Sequence, residues 1–289
     1  MENWDDYRLI LALHRGKSLR HAAAQLAVNH TTVSRRLVAL DNKFGAPVAE
    51  ATPKGFQLTP LGEALLGVAL EMEALVKHNQ RIERAMQLDL SGAIRVSVPP
   101  ALLQYALLDE LCAFQQLHPG IALNISSNYQ AVDLDDCEAD VVVRVSNTPS
   151  EHLVGHRLFP ITVNYYANPR YLAETPPDKR RWIVDPNTGD PAQWIQHSPF
   201  PDVPVGLTID DLVLRHQAAA NGFGLIRGAH YIATQFAELT VVGDQPNAPL
   251  MDIWVLTHPD YRDVARIKTL MAYLTDCLRS KKSQFGESD

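Results

Sequence analysis

A run of hydrogen-bonding side chains lies between positions 29 and 36, and its residue types suit contacts with DNA. Arginine can pair with guanine in a major groove, and hydroxyl or amide groups can contact bases or phosphates. We expect DNA contacts from seven residues of this run and from one lysine in a later turn. They are Asn29, His30, Thr31, Thr32, Ser34, Arg35, Arg36 and Lys54.

Three helices are predicted to position this run. Apolar residues recur at helical spacing over residues 4–14. Ser18 is well placed to cap a second, short helix over residues 19–26. A third helix is predicted over residues 30–44, stopped by Gly45, so that most of the polar run lies on its outer face.

The residues around the run fit a helix-turn-helix. Small residues are needed where its two helices cross, and the alanines at 22–24 supply them, while Val28 places an apolar side chain in the turn. Residues 46–60 have the pattern of a two-stranded wing with a turn at residues 52–55. The alternative interpretation is three ordinary packed helices with a solvated polar face.

A long helix is predicted to follow the wing, beginning at Pro60 after the capping residue Thr59. Its apolar residues recur in alternating steps of four and three, which is the heptad pattern of a coiled coil with one polar residue on the seam. The residues predicted to join two copies of the chain are Leu61, Leu65, Val68, Met72, Leu75, Asn79, Ile82 and Met86. The alternative is a helix that packs only on its own domain.

Residues 90–289 alternate strand and helix patterns, which predicts an α/β body with a mainly parallel sheet. In such sheets ligands bind at the carboxyl ends of the strands. The residues expected around a small molecule lie at predicted strand ends or, like Thr208, at helix starts. They are Pro100, Ala101, Ser126, Ser127, Asn128, Arg144, Ser146, Thr208 and Gly224. Each of them could equally be an ordinary turn or capping residue.

Charge is distributed unevenly along the chain. The formal net charge is −7, but residues 1–60 hold eight Lys/Arg against five Asp/Glu, whereas residues 94–289 hold fifteen against twenty-three. Attraction to phosphate is screened within about 10 Å, so a mildly basic head on an acidic body can bind DNA. Because the head is only mildly basic, tight binding is expected to need more than one copy.

Other chemistry is not indicated by the sequence. The eleven histidines form no two-histidine helical motif and the three cysteines lack zinc-site spacing, so no metal and no cofactor is predicted. The chain has no nucleophile elbow, phosphate loop or calcium loop, and we predict no enzyme activity. Without a long apolar run or an export signal, the expected location is the cytoplasm, with no membrane partner.

Several motifs together resemble one family. Residues 18–37 (SLRHAAAQLAVNHTTVSRRL) and 52–62 (TPKGFQLTPLG) resemble the winged helix-turn-helix of LysR-type regulators. Residues 92–97, 137–144 and 219–225 resemble segments of that family's effector domain. The resemblance covers most of the chain.

The resemblance implies an α/β multi-domain fold in three parts. These are an all-α winged helix-turn-helix over residues 1–60, a dimerising linker helix over 61–89 and an effector domain over 90–289. The effector domain would resemble periplasmic binding proteins, with subdomains of about 161–257 and about 90–160 together with 258–289.

The resemblance also implies the partners. A small-molecule effector would bind between the two subdomains, and the DNA partner would be a double-stranded, interrupted palindrome. The chain would form homodimers that usually assemble into homotetramers.

Three departures from the family pattern change these expectations. His30 stands where the family usually has glutamine, and residues 49–51 (AEA) replace a usual Phe-x-Arg in the wing. Residues 99–101 (PPA) lack the hydroxyl common at the start of the first effector-domain helix. We therefore expect an altered half-site, one phosphate contact fewer and a less anionic effector.

A second class of function stays open at this point: a cytoplasmic small-molecule-binding protein whose N-terminal helices only oligomerise. It would fit residues 90–289 alone, but it leaves the polar outer face of the third helix without a purpose.

Overall fold

The computed structural model describes residues 3–53, 55–85, 90–129, 139–187 and 189–286. The chain divides into two compact units, residues 1–83 and residues 84–289, which we call the N-terminal unit and the C-terminal unit. Lys54 and Met86, two of the predicted site residues, lie outside the described residues.

The N-terminal unit is built from helices and one short hairpin. Its elements are α1 (Trp4–Gly16), α2 (Leu19–Gln25), α3 (His30–Phe44), β1 (Ala49–Thr52), β2 (Gly55–Leu58) and α4 (Pro60–Ala85). The two strands pair antiparallel as the predicted wing, and the backbone N–H of Phe56 donates to the carbonyl of Lys17 at 2.8 Å. The wing is thereby attached to the end of α1.

Local capping sets the helix boundaries. The Ser18 side chain accepts from the backbone of His21, which confirms the predicted cap of α2. Asn29 caps α3 and Gly45 ends it in the left-handed region, at φ 72°, so the predicted bounds of α3 are confirmed. Helix α1 runs two residues past its predicted end, and Lys17 then takes the left-handed conformation.

One apolar core holds the N-terminal unit together. Ala22, Val33 and Leu37 are buried between α1, α2 and α3, as the helix-turn-helix pattern predicts. Ala24 is exposed, so its expected place at the helix crossing is wrong. Leu66 of α4 is buried in the same core, which ties the first turns of α4 to the helix-turn-helix.

The C-terminal unit contains the remaining strands and helices. Its strands are β3 (Gly92–Val98), β4 (Ile121–Ser127), β5 (Val141–Ser146), β6 (Val154–Ala167), β7 (Trp182–Val184), β8 (Val205–Thr208), β9 (Ile226–Ala229), β10 (Thr240–Val241) and β11 (Ala248–Thr257). Its helices are α5 (Pro100–Leu102), α6 (Leu108–Leu117), α7 (Pro169–Glu174), α8 (Ala192–Ile195), α9 (Leu212–Ala220), α10 (His230–Ala233) and α11 (Ala265–Ser280). A π-helical turn, Leu103–Leu107, joins α5 to α6.

The large sheet has the order β10-β6-β11-β5-β3-β4, with β9 paired to β6. Strand β3 is parallel to β4 and β5, but β11 is antiparallel to both β5 and β6. The expectation of a mainly parallel sheet is therefore wrong: the sheet is mixed. The long strands β6 and β11 run in opposite directions and pair antiparallel. The prediction failed because a strand pattern in the sequence does not show whether the strand pairs parallel or antiparallel.

Packing around this sheet is extensive. The largest core combines β3, β5 and β11 with α6 and α11, and Phe114 and Leu274 are fully buried in it. A buried carboxylate, Asp140, accepts from the Arg95 backbone at 2.8 Å and from its guanidinium at 2.7 Å. A separate core surrounds Trp182 in the small parallel sheet of β7 and β8.

A buried histidine gives the C-terminal unit a pH-dependent stability. His216 of α9 is 1% exposed, and burial lowers its pKa to about 4, although its bond to the Leu212 carbonyl at 2.8 Å opposes the change. The folded state therefore favours the neutral ring. The contribution of His216 to the free energy of unfolding should be fully present above the ordinary histidine pKa and should be lost as the pH drops towards 4. The expected loss is about 2 kcal/mol between about pH 7 and pH 5.

Thermal melts of the full chain across that pH range test this prediction. The matched variant His216→Gln can keep a hydrogen bond to Leu212 but has no titrating ring. Its melting temperature should change less with pH than that of the wild type, and an unchanged pH dependence would contradict the assignment.

Candidate nucleic-acid interface and ligand cleft

The start of α3 is organised by one amide. The side-chain Oδ1 of Asn29 accepts from the backbone N–H of Thr32 at 2.8 Å. It also accepts from the hydroxyls of Thr31 at 2.7 Å and Thr32 at 2.8 Å. Both threonine hydroxyls, which the sequence presents as ready for DNA, are thus already committed to the cap.

The outer face of α3 carries exposed polar residues, half-buried polar residues and one exposed apolar residue. His30, Thr31 and Arg35 are exposed, while Thr32 and Ser34 are half-buried. Val38 is 56% exposed on the same face, four residues beyond Ser34 and seven beyond Thr31. Sequence reasoning missed Val38, although its helical spacing from Thr31 could have indicated it. An exposed valine in this position suits contact with a thymine methyl group.

The two arginines of α3 have different surroundings. Arg36 is half-buried and lies 3.9 Å from the carboxylate of Asp5 on α1, which also pairs with Arg8 at 3.2 Å. Arg35 is exposed and has no hydrogen-bond or ion-pair partner among the described residues. The N–H donors of the Arg35 guanidinium are therefore available to an external acceptor. Arg36 would have to give up its pairing with Asp5 before all of its N–H groups could contact DNA.

Helix α4 presents two adjacent stripes of apolar residues. Leu61, Leu65 and Met72 are partly buried against the core of the N-terminal unit. Val68, Leu75 and Ile82 recur every seven residues and are exposed, Leu75 by 68%. We call these three the exposed stripe. The predicted seam is thus divided, since part of it covers its own unit and part faces outward beside the exposed Asn79.

A cluster of polar groups occupies the carboxyl ends of the parallel strands in the C-terminal unit. Arg144 of β5 donates to the hydroxyl of Ser97 at 2.8 Å and to its carbonyl at 3.1 Å. Ser126 of β4 donates to the Val96 carbonyl at 3.4 Å. Burial lowers the pKa of Arg144. The fold therefore joins two predicted residues, Arg144 and Ser126, through β3.

The segment after β4 brings in groups that the sequence did not indicate. Partial burial and the carboxylate of Asp211 raise the pKa of Tyr129, against the effect of a hydrogen bond from the backbone of Ala101. Asp211 caps α9 by accepting from Leu214 at 2.8 Å. The Tyr129 hydroxyl thus lies near the first turn of α5 and the cap of α9. Asn128, the preceding residue, has a buried Oδ1 with no hydrogen-bond partner among the described residues.

The other predicted cleft residues have simpler surroundings. Ala101 is buried and Pro100 half-buried in α5, and Ser127 is the exposed last residue of β4. Ser146 ends β5, where its carbonyl accepts from the indole of Trp254 at 2.9 Å. Thr208, expected at a helix start, instead ends strand β8 and pairs with Val184. Gly224 is buried, and a side chain there would collide with Arg181 and Ile183.

Within the described part of the chain, no cluster of three His, Cys, Asp or Glu side chains could hold a metal ion. Among the same residues, no helix combines the length and apolar character needed to span a membrane. Burial and the neighbouring Glu110 carboxylate raise the pKa of Cys277 to about 11, so its thiol is protonated at neutral pH. Cys137 lies outside the described residues.

Two family models match this chain. One, described as a bacterial regulatory helix-turn-helix protein of the lysR family, matches residues 4–63. The other, described as a LysR substrate binding domain, matches residues 88–279.

Curated relatives are similar at lower identity. The chain is 28% identical over 165 residues to an uncharacterized HTH-type transcriptional regulator, YhjC, of Escherichia coli K12, covering 57% of this chain and 55% of that protein. It is 29% identical over 147 residues to the Mau operon transcriptional activator of Paracoccus denitrificans, covering 50% of each. The chain thus spans about half the length of these two relatives. With the HTH-type transcriptional regulator DsdC of Escherichia coli K12 it shares 24% identity over 263 residues, or 86% of this chain and 82% of that one.

Solved structures share the fold over nearly the whole chain. The full-length Vibrio cholerae virulence activator AphB, described as a member of the LTTR family, gives a TM-score of 0.60 at 18% identity and covers 95% of this chain and 99% of that one. CrgA from Neisseria meningitidis gives 0.55 at 18% identity, covering 96% and 99%. These likenesses confirm the predicted fold class, an N-terminal helix-turn-helix domain with a C-terminal α/β domain.

Proposed function

Because this chain belongs to the LysR family of bacterial regulators, we propose that it is a sequence-specific DNA-binding transcription regulator that responds to a small-molecule effector. The observation that carries the DNA-binding part is the outer face of α3. It combines an exposed arginine that has no partner among the described residues with an exposed valine and a capped, polar N-terminus. Such a face supplies the donors and the apolar contact that a major groove reads.

The partners follow from this role. The DNA is double-stranded and carries an interrupted palindrome, since two copies joined through α4 present two heads. The exposed stripe and Asn79 form the contact between two copies, and two dimers form the tetramer. The other heptad residues selected from the sequence, Leu61, Leu65, Met72 and Met86, belong to the same proposed contact. The protein acts in the cytoplasm, where its DNA is, and by binding rather than by catalysis.

The DNA contacts that we propose are the eight residues selected from the sequence, together with Val38. Arg35 reads a base, and Arg36, Ser34 and Lys54 contact the backbone. A band-shift experiment with the full chain and the DNA upstream of its own gene tests this role. Failure to shift that fragment, and failure to retain any sequence from a library of randomised duplexes, would overturn it.

The effector is proposed to bind where β3, β4 and β5 end, between subdomains of about 161–257 and about 90–160 with 258–289. Three features support the place: the Arg144–Ser97 pair, the Tyr129 hydroxyl at the first turn of α5, and the Asn128 oxygen that has no partner among the described residues. A ligand that donates a hydrogen bond to Asn128 would satisfy an acceptor whose burial otherwise costs about 1–3 kcal/mol. We therefore expect an effector with a hydroxyl or amino donor.

Asn128→Ala provides the prediction for this site. Removing a buried acceptor that has no partner in the described part of the chain should leave the melting temperature of the free protein unchanged or slightly higher. Affinity for an effector found by a thermal-shift screen of small metabolites should fall, by about tenfold for one lost hydrogen bond.

The control for that variant is Asn124→Ala, which makes the same change at an exposed position of β4. It should keep wild-type affinity for the same metabolite. Equal affinities for the two variants would remove Asn128 from the site.

A further inference from the structure

The hydrogen-bond inventory at the start of α3 limits what Thr31 can offer to DNA. The backbone N–H of Thr32 can only donate, so the Asn29 atom that it contacts at 2.8 Å must be the amide oxygen. An amide oxygen only accepts. The hydroxyl of Thr31 lies 2.7 Å from the same atom and must therefore donate its single hydrogen bond to Asn29.

Without that proton, the exposed side of the Thr31 hydroxyl presents lone pairs only. Phosphate oxygens are also acceptors and cannot pair with it. Guanine O6 and thymine O4 are excluded for the same reason. The exocyclic amino groups of adenine and cytosine are the donors that a major groove offers, and these match it.

The position of Thr31 on the helix supports a base contact. It is exposed, and Arg35 and Val38 lie four and seven residues further along the same face. Thr32, whose hydroxyl is 2.8 Å from the same oxygen, is half-buried to one side. The amide nitrogen of Asn29 has no partner among the described residues and can donate to a phosphate.

We propose that Asn29 fixes Thr31 as a hydrogen-bond acceptor, so that each DNA half-site carries adenine or cytosine opposite Thr31. This inference rests on the proposed function, since it specifies which base the recognition helix selects. Asn29 is then a positioning residue for specificity as well as the cap of α3.

The test begins with the full chain and a library of randomised duplexes, sequenced after binding. Thr31→Val removes the hydroxyl with little change of shape and should relax selection at one position of each half-site. Duplexes in which the base at that position lacks its exocyclic amino group, purine for adenine or pyrimidin-2-one for cytosine, should bind the wild type about fivefold or more weakly. The same analogues should cost the Thr31→Val protein nothing.

Two cap variants separate the hydrogen-bond pattern from helix stability. Asn29→Asp keeps an accepting oxygen, so the choice of base at that position should persist while affinity for every sequence falls. Asn29→Gly places a tolerated cap residue at this position and removes the acceptor of the Thr31 hydroxyl. The hydroxyl can then donate to a base, so guanine or thymine should be accepted opposite Thr31. Thr32→Val removes the other hydroxyl that bonds to Asn29 and a proposed DNA contact. Its affinity for every sequence should fall, while the choice of base opposite Thr31 should stay as in the wild type.

Two results of this selection would have different consequences. A wild-type protein that retains no sequence from the library would overturn the proposed function itself. The wild type could select a clear motif in which Thr31→Val changes the preference for guanine or thymine, or changes no base preference. That result would overturn the role of Asn29 while leaving DNA recognition intact.

Discussion

Arg35→Ala is expected to weaken binding to the selected DNA site by about 5- to 150-fold, the range for one bidentate arginine–guanine contact. The reason is the difference between the two arginines of α3. Arg35 is exposed and unpaired among the described residues, so its donors are available without a compensating loss. Because the lost contact is to a base, the effect should depend on one position of the half-site.

Arg36→Ala should cost less than Arg35→Ala, since Arg36 lies beside Asp5 in the free protein and gives up part of that pairing on DNA. If Arg36 contacts phosphate, its loss should weaken binding to all sequences and reduce the salt slope by about one. The double variant should bind severely less than either single one.

Arg8→Ala is the matched control, because it removes another exposed arginine that pairs with the same carboxylate. Titrations by fluorescence anisotropy at several salt concentrations measure all four proteins. Unchanged affinity in the double variant would count against α3 as the recognition helix.

The sequence predicts most reliably the elements whose boundaries are set locally. Helix α3 begins after Asn29 and ends at Gly45 because an amide cap and a left-handed glycine act within one turn of the chain. Such signals need no knowledge of the rest of the fold.

The direction of strand pairing was not accessible in the same way. Ala248 of β11 pairs with Val163 of β6, although the two lie far apart in the chain. Both strands are buried along much of their length, and a run of apolar residues shows neither its partner nor its direction. The mixed sheet therefore follows from long-range packing that a local pattern cannot encode.

The candidate sites show the same limit at the level of side chains. Residue types identified the polar run of α3, but only the geometry shows that Asn29 accepts hydrogen bonds from the hydroxyls of Thr31 and Thr32. At the proposed effector site, Tyr129 and Asp211 come together from segments with no shared motif. Types of residue can be read along the chain, whereas their hydrogen-bond roles depend on which neighbours the fold provides.

Leu75→Glu is the second change with a large expected effect. Leu75 is 68% exposed in one copy and lies at the centre of the exposed stripe, with Val68 and Ile82 one heptad to either side. Burial of a leucine side chain contributes about 1.5–3 kcal/mol, and a dimer would bury two. Introducing two carboxylates into that contact should raise the dimer dissociation constant by at least about 100-fold.

The consequence should extend to DNA. A single head has only a small excess of positive charge, so a monomer is expected to lose most of its affinity for a palindromic site while retaining its fold. Ala74→Glu adds the same charge at the neighbouring exposed position, on a different side of α4, and should remain a dimer. Analytical ultracentrifugation and band shifts compare the two variants. A Leu75→Glu protein that still sediments as a dimer would show that α4 packs only on its own unit and that the copies meet elsewhere.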